Sequence, residues 1–294
     1  MIAFAVASAH ADNIRYYTID DGLYSNAVYS ITQDSKYRMR LGTIDGLHSF
    51  DGNKIKVWHD SSVPTLGSNI YTLLEDSCFL YVGSDKGLSV LNMRNEEYCA
   101  LDNIVTMRTE ISSSVSHLMK DSHGRIWVST LGQGLICLYP EEKRMVQYMA
   151  PTVIQSDYIA FTLEDAEGRI WVASRDAGLL CMDPDKNAFY TFVPFTDDAI
   201  LTLFEDSGKR LWVGGYTRGL FLVDKEKKEL KSVHHDGQAL FPLPARSIIE
   251  FKKDILWAAT DNGLMEYDIR EGKSRFVYQT SVYEKLSDTH LQTL

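Results

Sequence analysis

The chain has 294 residues, 45% of them apolar and 24% charged, with a formal net charge of −10, a composition that describes a folded body with a sizeable core and excludes a disordered one. An acidic balance without a basic cluster excludes nucleic acid, and an anionic membrane surface, as the main partner. No apolar run reaches the roughly 18 residues of a spanning helix, so no direct membrane span is expected, and four cysteines are too few for a disulfide-built scaffold.

The first eleven residues differ from the rest of the chain. Ile2 to Ala7 is a short apolar run, and Ala9-His10-Ala11 has the small-x-small form of a signal-peptidase site, although the usual positive front end is missing. Residues 1–11 are therefore expected to be a signal-peptide remnant, with a plain N-terminal tail as the alternative. Residues 12–294 form the exported domain on this reading. Ile14–Ile19 then reads as a strand.

From residue 27 onward the sequence repeats. Gly-Leu pairs begin at 46, 87, 134, 178, 219 and 263, at intervals of 41, 47, 44, 41 and 44. Before most of them stands Trp-Val or a close relative (Tyr81, Trp127, Trp171, Trp212, Trp257), with Arg40 at that place in the first copy. Five or six residues earlier come Asp34, Asp76, Asp121, Asp165, Asp206 and, off-pattern, Phe251. Each copy reads as four short strands rich in Val, Ile, Leu and aromatics, parted by Gly, Asp, Asn and Pro turns. A four-stranded unit of this length is the blade of a β-propeller.

The expected fold is all-β, with full blades at about 27–59, 69–101, 114–149, 158–193, 199–234 and 244–280. Residues 14–19 resemble a fourth strand and 289–294 a first, so an incomplete seventh blade shared between the ends is expected; a distorted six-bladed ring is the competing arrangement. The recurring glycine supplies a positive φ, or room, at the tight turn between strands two and three. The small residue two past the aromatic (Gly42, Gly83, Ser129, Ala173, Gly214, Ala259) lets backbones approach, the aromatic wedges between blades, and the Asp ties its own turn. Cys78 and Cys99 lie in one blade and are close enough in sequence to pair; burial as small apolar residues is the default for all four cysteines.

Tyr17-Thr-Ile-Asp-Asp-Gly-Leu-Tyr-Ser-Asn26, Val28-Tyr-Ser-Ile-Thr-Gln-Asp34 and Gly42-Thr-x-Asp-Gly-Leu-x-x-Phe-Asp-Gly52 resemble the two-component regulator propeller repeats. These occur in the periplasmic sensors of Bacteroidetes hybrid two-component systems, and the resemblance covers residues 14–294. It implies a periplasmic ligand-sensing module in a protein where two seven-bladed propellers precede an immunoglobulin-like domain, a membrane helix, a histidine kinase and a response regulator. The implied ligand is a glycan-derived oligosaccharide. The implied partner is a second propeller or the kinase-bearing portion of the sensor. Arg40, the shortened turn at Cys78-Phe79, and Phe251-Lys-Lys-Asp depart from the pattern.

Reaction chemistry finds little support. No Gly-x-Ser-x-Gly, His-Glu-x-x-His or Cys-x-x-Cys occurs. Gly272-Lys273-Ser274 lacks the first glycine of a phosphate loop, and His234-His235-Asp236 reads as a solvated loop. No catalytic residue, metal or cofactor is expected. The loops entering each first strand and the strand two–three turns share one face, around the channel mouth. Candidate ligand residues there are Lys86, Arg108, Tyr158, Arg175, Asp176, Tyr216 and Arg218, because arginine offers a planar fork to carboxylates or sulfates and tyrosine a flat face to a sugar ring. A protein-docking scaffold and a propeller lyase or hydrolase are the alternative functions. The last would need carboxylates or histidines converging from several first strands, where the sequence places Ser30, Thr72, His117, Phe161 and Thr202.

Overall fold

The computed structural model describes residues 2–5, 14–58, 66–106, 109–195, 197–235, 238–239 and 244–279. Six four-stranded antiparallel sheets follow one another, each with its strands in chain order. Blade one comprises Val28–Gln33, Met39–Thr43, Gly46–Phe50 and Ile55–Trp58. Blade two comprises Ile70–Asp76, Phe79–Ser84, Gly87–Asn92 and Glu97–Tyr98. Val115–Lys120, Ile126–Thr130, Leu135–Tyr139 and Arg144–Tyr148 make blade three; Ile159–Glu164, Ile170–Ser174, Leu179–Asp183 and Ala188–Val193 make blade four. Blade five is Ile200–Glu205, Leu211–Gly215, Leu220–Asp224 and Glu229–Ser232. Blade six is Ala245–Lys252, Ile255–Thr260, Gly263–Asp268 and Lys273–Gln279. The only helical pieces among the described residues are 3-10 turns at Ile19–Asp21 and Leu101–Asn103. The fold is a β-propeller.

The first strands of blades one to six lie against each other in succession around a central channel; no comparable contact joins the sixth to the first among the described residues. Apolar seams fill the spaces between blades, for example Leu179, Ile200, Leu211 and Phe221 between four and five. The outer face of blade one carries Leu41 and Phe50, covered by Tyr17 and Leu23, with the Tyr17 and Phe50 rings 4.7 Å apart. Ile14–Tyr17 pairs antiparallel with Ile2–Ala5. Residues 6–13, which include Ala9-His10-Ala11, and residues 280–294 lie outside the described residues. No four-stranded seventh sheet is present among those described.

The repeat residues have mechanical roles. Asp121, Asp165 and Asp206 each accept from two backbone N–H groups of their own turn, from the arginine four residues on, and from the indole six residues on. Those indoles, Trp127, Trp171 and Trp212, are at most 1% exposed, wedged against the next blade. In blade one Arg40 replaces the indole and donates Nε–H to Asp34 at 3.0 Å. The small residues two past the wedge meet the following blade: a Cβ on Gly42 would run into Ile70, one on Gly83 into Val115, and one on Gly214 into the Ala245 carbonyl. A second acid latches neighbouring blades, since Glu75, Glu164 and Glu250 each accept from the backbone and hydroxyl of a serine in the preceding blade (Ser35, Ser122, Ser207). Cys78, Cys99, Cys137 and Cys181 are all free, the last two buried.

Candidate ligand-binding channel

Alternation along a first strand should send every second side chain into the channel. A β-bulge in each blade changes this. The register of every first strand shifts by one residue, between Val28 and Ser30, Ile70 and Thr72, Val115 and His117, Ile159 and Phe161, Ile200 and Thr202, and Ala245 and Ser247. The extra residues are Tyr29, Tyr71, Ser116, Ala160, Leu201 and Arg246. A bulge re-aims its side chain, so two consecutive residues per blade line a cavity of about 730 Å³. First strands run inward from the face that bears the strand two–three turns, so depth follows sequence. The bulged row lies nearest that face, Ser30, Thr72, His117, Phe161, Thr202 and Ser247 come next, and Leu163, Phe204 and Ile249 line the far end.

Part of the polar wall is committed to holding the blades together. Thr72 Oγ1 accepts from the Leu118 N–H at 3.2 Å, and the Ser116 hydroxyl donates to the Ile159 carbonyl at 2.6 Å. His117 stacks on Phe161 with ring centroids 3.5 Å apart, and its Nδ1 accepts from the Thr162 N–H at 3.3 Å. Burial pushes its pKa down to about 3, so the ring is neutral at physiological pH.

The mouth has other chemistry. Tyr29 and Tyr71, from adjacent blades, have ring centroids 5.3 Å apart at 53°. Burial pushes the Tyr71 phenol up, Asp85 and Tyr29 add to this, and the Arg175 guanidinium pulls it back. Arg175 of blade four lines the same cavity as Tyr71 of blade two. Arg175 and Arg246 are the only charged side chains among the described lining residues. Arg246 is held by Asp261 through Nε at 2.7 Å, whereas Arg175 makes no ion pair among the described residues.

Six of the seven sequence-predicted ligand residues are among the described residues, and they take different places. Arg175 lines the channel; Arg108 lies outside the described residues. Asp176 accepts from the hydroxyls of Ser156 and Ser174 and so closes its own turn. Arg175 and Arg218 take different places in the turns of neighbouring blades. The counterpart of Arg175 is Tyr216, since both donate a backbone N–H to the residue entering strand one, Tyr158 and Ala199 respectively. Two positions further on, the Arg218 guanidinium lies over Phe195 and Phe221, 5.9 and 5.7 Å from their centroids, at the seam of blades four and five. Tyr158 and Tyr216 are half exposed on the turn face, and Lys86 is exposed there. Tyr29, Tyr71 and Arg246 were missed because strict alternation assigns them to the seams. Their signal is positional: each directly precedes a residue (Ser30, Thr72, Ser247) that the repeat sets on the channel wall.

The fold and channel define the class: a β-propeller with a polar, aromatic mouth and an apolar far end. Residues 109–132, which enter the third blade, match the two component regulator propeller family. No curated protein matches the sequence. Among solved structures, the extracellular domain of the hybrid two component system BT4673 from B. thetaiotaomicron is similar over 92% of this chain and 36% of its own, at 20% identity and a TM-score of 0.78. That of BT3049 from the same organism is similar over 95% and 37%, at 20% identity and a TM-score of 0.75. Virginiamycin B lyase from Staphylococcus aureus is also similar, over 87% of this chain and 86% of its own, at 10% identity and a TM-score of 0.66. At these identities the likeness concerns the fold. The chain spans little more than a third of the two extracellular domains. No helix among the described residues is long and apolar enough to cross a membrane.

Proposed function

We propose that this propeller is a periplasmic, non-catalytic ligand-sensing module of a hybrid two-component regulator, binding a glycan-derived oligosaccharide and signalling to a histidine kinase carried elsewhere. The observation that carries the reading is the channel wall, whose mouth presents tyrosines, hydroxyls and arginine while no Asp or Glu is among its described lining residues. Such a wall binds; it offers no pair of acid and base to a reaction. His117, the one imidazole in it, is neutral and engaged through Nδ1. The cavity size falls within the range of small-molecule sites. The family match at 109–132 and the likeness to sensor extracellular domains support the same role.

A thermal-shift screen of the purified chain against neutral and charged oligosaccharides tests this. A ligand selective for the folded state raises the unfolding temperature with concentration. Stabilisation by a sugar, lost in a Tyr71→Ala variant that remains folded, is the expected result. Silence across the panel would overturn the reading.

A further inference from the structure

The charge on the channel wall specifies the ligand further. The chain as a whole is strongly acidic, at −10, yet the charged side chains lining its cavity are both arginines. One of them, Arg246, is neutralised by Asp261 just outside the wall. The other, Arg175, is exposed on its turn, has no carboxylate partner among the described residues, and lines the same cavity as Tyr71. Beside it Tyr71 and Tyr29 present tilted rings. A guanidinium at the rim of a cavity, without an acid to pair with, favours an incoming carboxylate or sulfate; a tyrosine pair offers its faces to a pyranose ring.

We propose that the channel mouth binds an anionic sugar, a uronic acid or a sulfated hexose, with the anionic group on Arg175 and a sugar ring against Tyr71 and Tyr29. This rests on the sensor reading and adds to it the charge of the ligand. Arg246, already clamped by Asp261, sets the far side of the mouth and does not compete for the anion.

The experiment is calorimetric titration of the whole chain with two matched pairs: cellobiouronic acid against cellobiose, and 6′-sulfated lactose against lactose. Each pair differs in one anionic group. Expected is roughly ten- to hundredfold tighter binding of at least one anionic member over its neutral partner, the range of a charge-assisted hydrogen bond, weakening as salt is raised. The better of the two anions distinguishes carboxylate from sulfate. Arg175→Met should bring the anionic member down to its neutral partner, and Arg175→Lys should retain part of the difference. Lys186→Met, which removes a cation with a side chain 78% exposed on the outer edge of the same blade, should leave it unchanged. Arg175 carries no ion pair among the described residues, so the unfolding temperature of Arg175→Met should match the parent and confirm that the variant is folded. Equal affinity for both members of each pair, or an anion preference that survives Arg175→Met, overturns the proposal while leaving a neutral-sugar sensor standing. Absence of binding by all four sugars overturns it, and the thermal-shift screen against the wider set of oligosaccharides then decides the sensor reading separately.

Discussion

Replacing Asp165 with alanine should be among the most damaging single changes to this fold, although the residue lies in a surface turn. Its side chain is fully buried. One oxygen accepts from the backbone N–H groups of Glu167 and Arg169, both at 3.0 Å. The other accepts from Arg169 Nε and Trp171 Nε1, both at 2.8 Å. Without the carboxylate, the Arg169 guanidinium can turn to water. The Trp171 indole cannot, because it sits 1% exposed in the seam against blade five. A buried donor without a partner costs about 1–3 kcal/mol, and the lost charge-assisted bonds raise the total to about 3–5 kcal/mol. For a domain of this size that corresponds to a fall in unfolding temperature of roughly 5–8 °C. Asp183→Ala in the same blade is the control, because its partners, the N–H groups of Asp185 and Lys186, lie on an exposed turn. Urea unfolding of both variants should show a several-fold larger loss at Asp165. Equal losses, or a loss below about 1 kcal/mol at Asp165, would refute the account of the acid and indole as one buried unit.

The buried ion pair of blade one should behave asymmetrically. Arg40→Met replaces a guanidinium whose Nη1 and Nη2 have no protein partner, and should be neutral or stabilising by about 1–4 kcal/mol, whereas Asp34→Ala, which strands the cation, should cost about 3–5 kcal/mol in the same denaturation assay. Trp171→Ala should lose about 3–5 kcal/mol, and Trp257→Ala clearly less, because Trp257 is only half-buried and stacks on Phe251 at 3.9 Å. Stability should fall on acidification. Burial works to raise the Asp34 and Asp165 carboxyls, but bonds from Arg38, and from Trp171 and Arg169, outweigh it and hold both below their ordinary value, so their contribution is full above the unfolded carboxylate pKa and is lost below about pH 4. His117 adds a shallower decline from its ordinary 6.5 toward about 3, since the unfolded chain takes up a proton there that the folded chain refuses. Stability measured against pH should lose that upper limb in His117→Gln.

What was legible in the sequence was whatever repeats. The spacing of the glycines fixed the blade boundaries because a positive φ is needed at each strand two–three turn, and all six glycines have it, from Gly134 at 69° to Gly263 at 125°. The tie between Asp121 and its turn, and the wedge at Trp127, were legible for the same reason: one residue type serving one place in successive blades. The inter-blade latch was not read, although Glu75 and Glu164 each stand directly before a repeat Asp and Glu250 before Phe251, which takes that place. An acid beside another acid at a strand end looks solvated until the preceding blade brings a serine to it. The binding site was the least legible part. Ser30, Thr72, His117, Phe161 and Thr202 were placed on the channel wall by alternation and are there. Tyr29, Tyr71 and Arg246 reach it through a bulge, a one-residue insertion in register that leaves no mark on composition or period.

In blades one and six the departures from the repeat at the acid and at the wedge are matched to each other. Blade one loses its aromatic but keeps a donor: Arg40 supplies an N–H to Asp34 at 3.0 Å, where Trp127, Trp171 and Trp212 supply theirs at 2.8 Å. Blade six keeps its aromatic and loses the acid, and the indole N–H is not left stranded. Trp257 donates to Glu266 at 3.0 Å, the Arg275 Nε holds the other oxygen of that carboxylate at 2.8 Å, and Phe251, standing in the acid's place, stacks within 5° of parallel on the indole. The exchange fits the position of this blade. In blades three to five the wedge is covered by the first strand of the next blade, so its N–H must be satisfied from within its own turn. In blade six, with no comparable strand contact onward to blade one among the described residues, the ring is covered by Phe251 from its own first strand and its N–H is met by the third strand. With its N–H met by Glu266 and its face covered by Phe251, this indole does not draw on an acid at position 251.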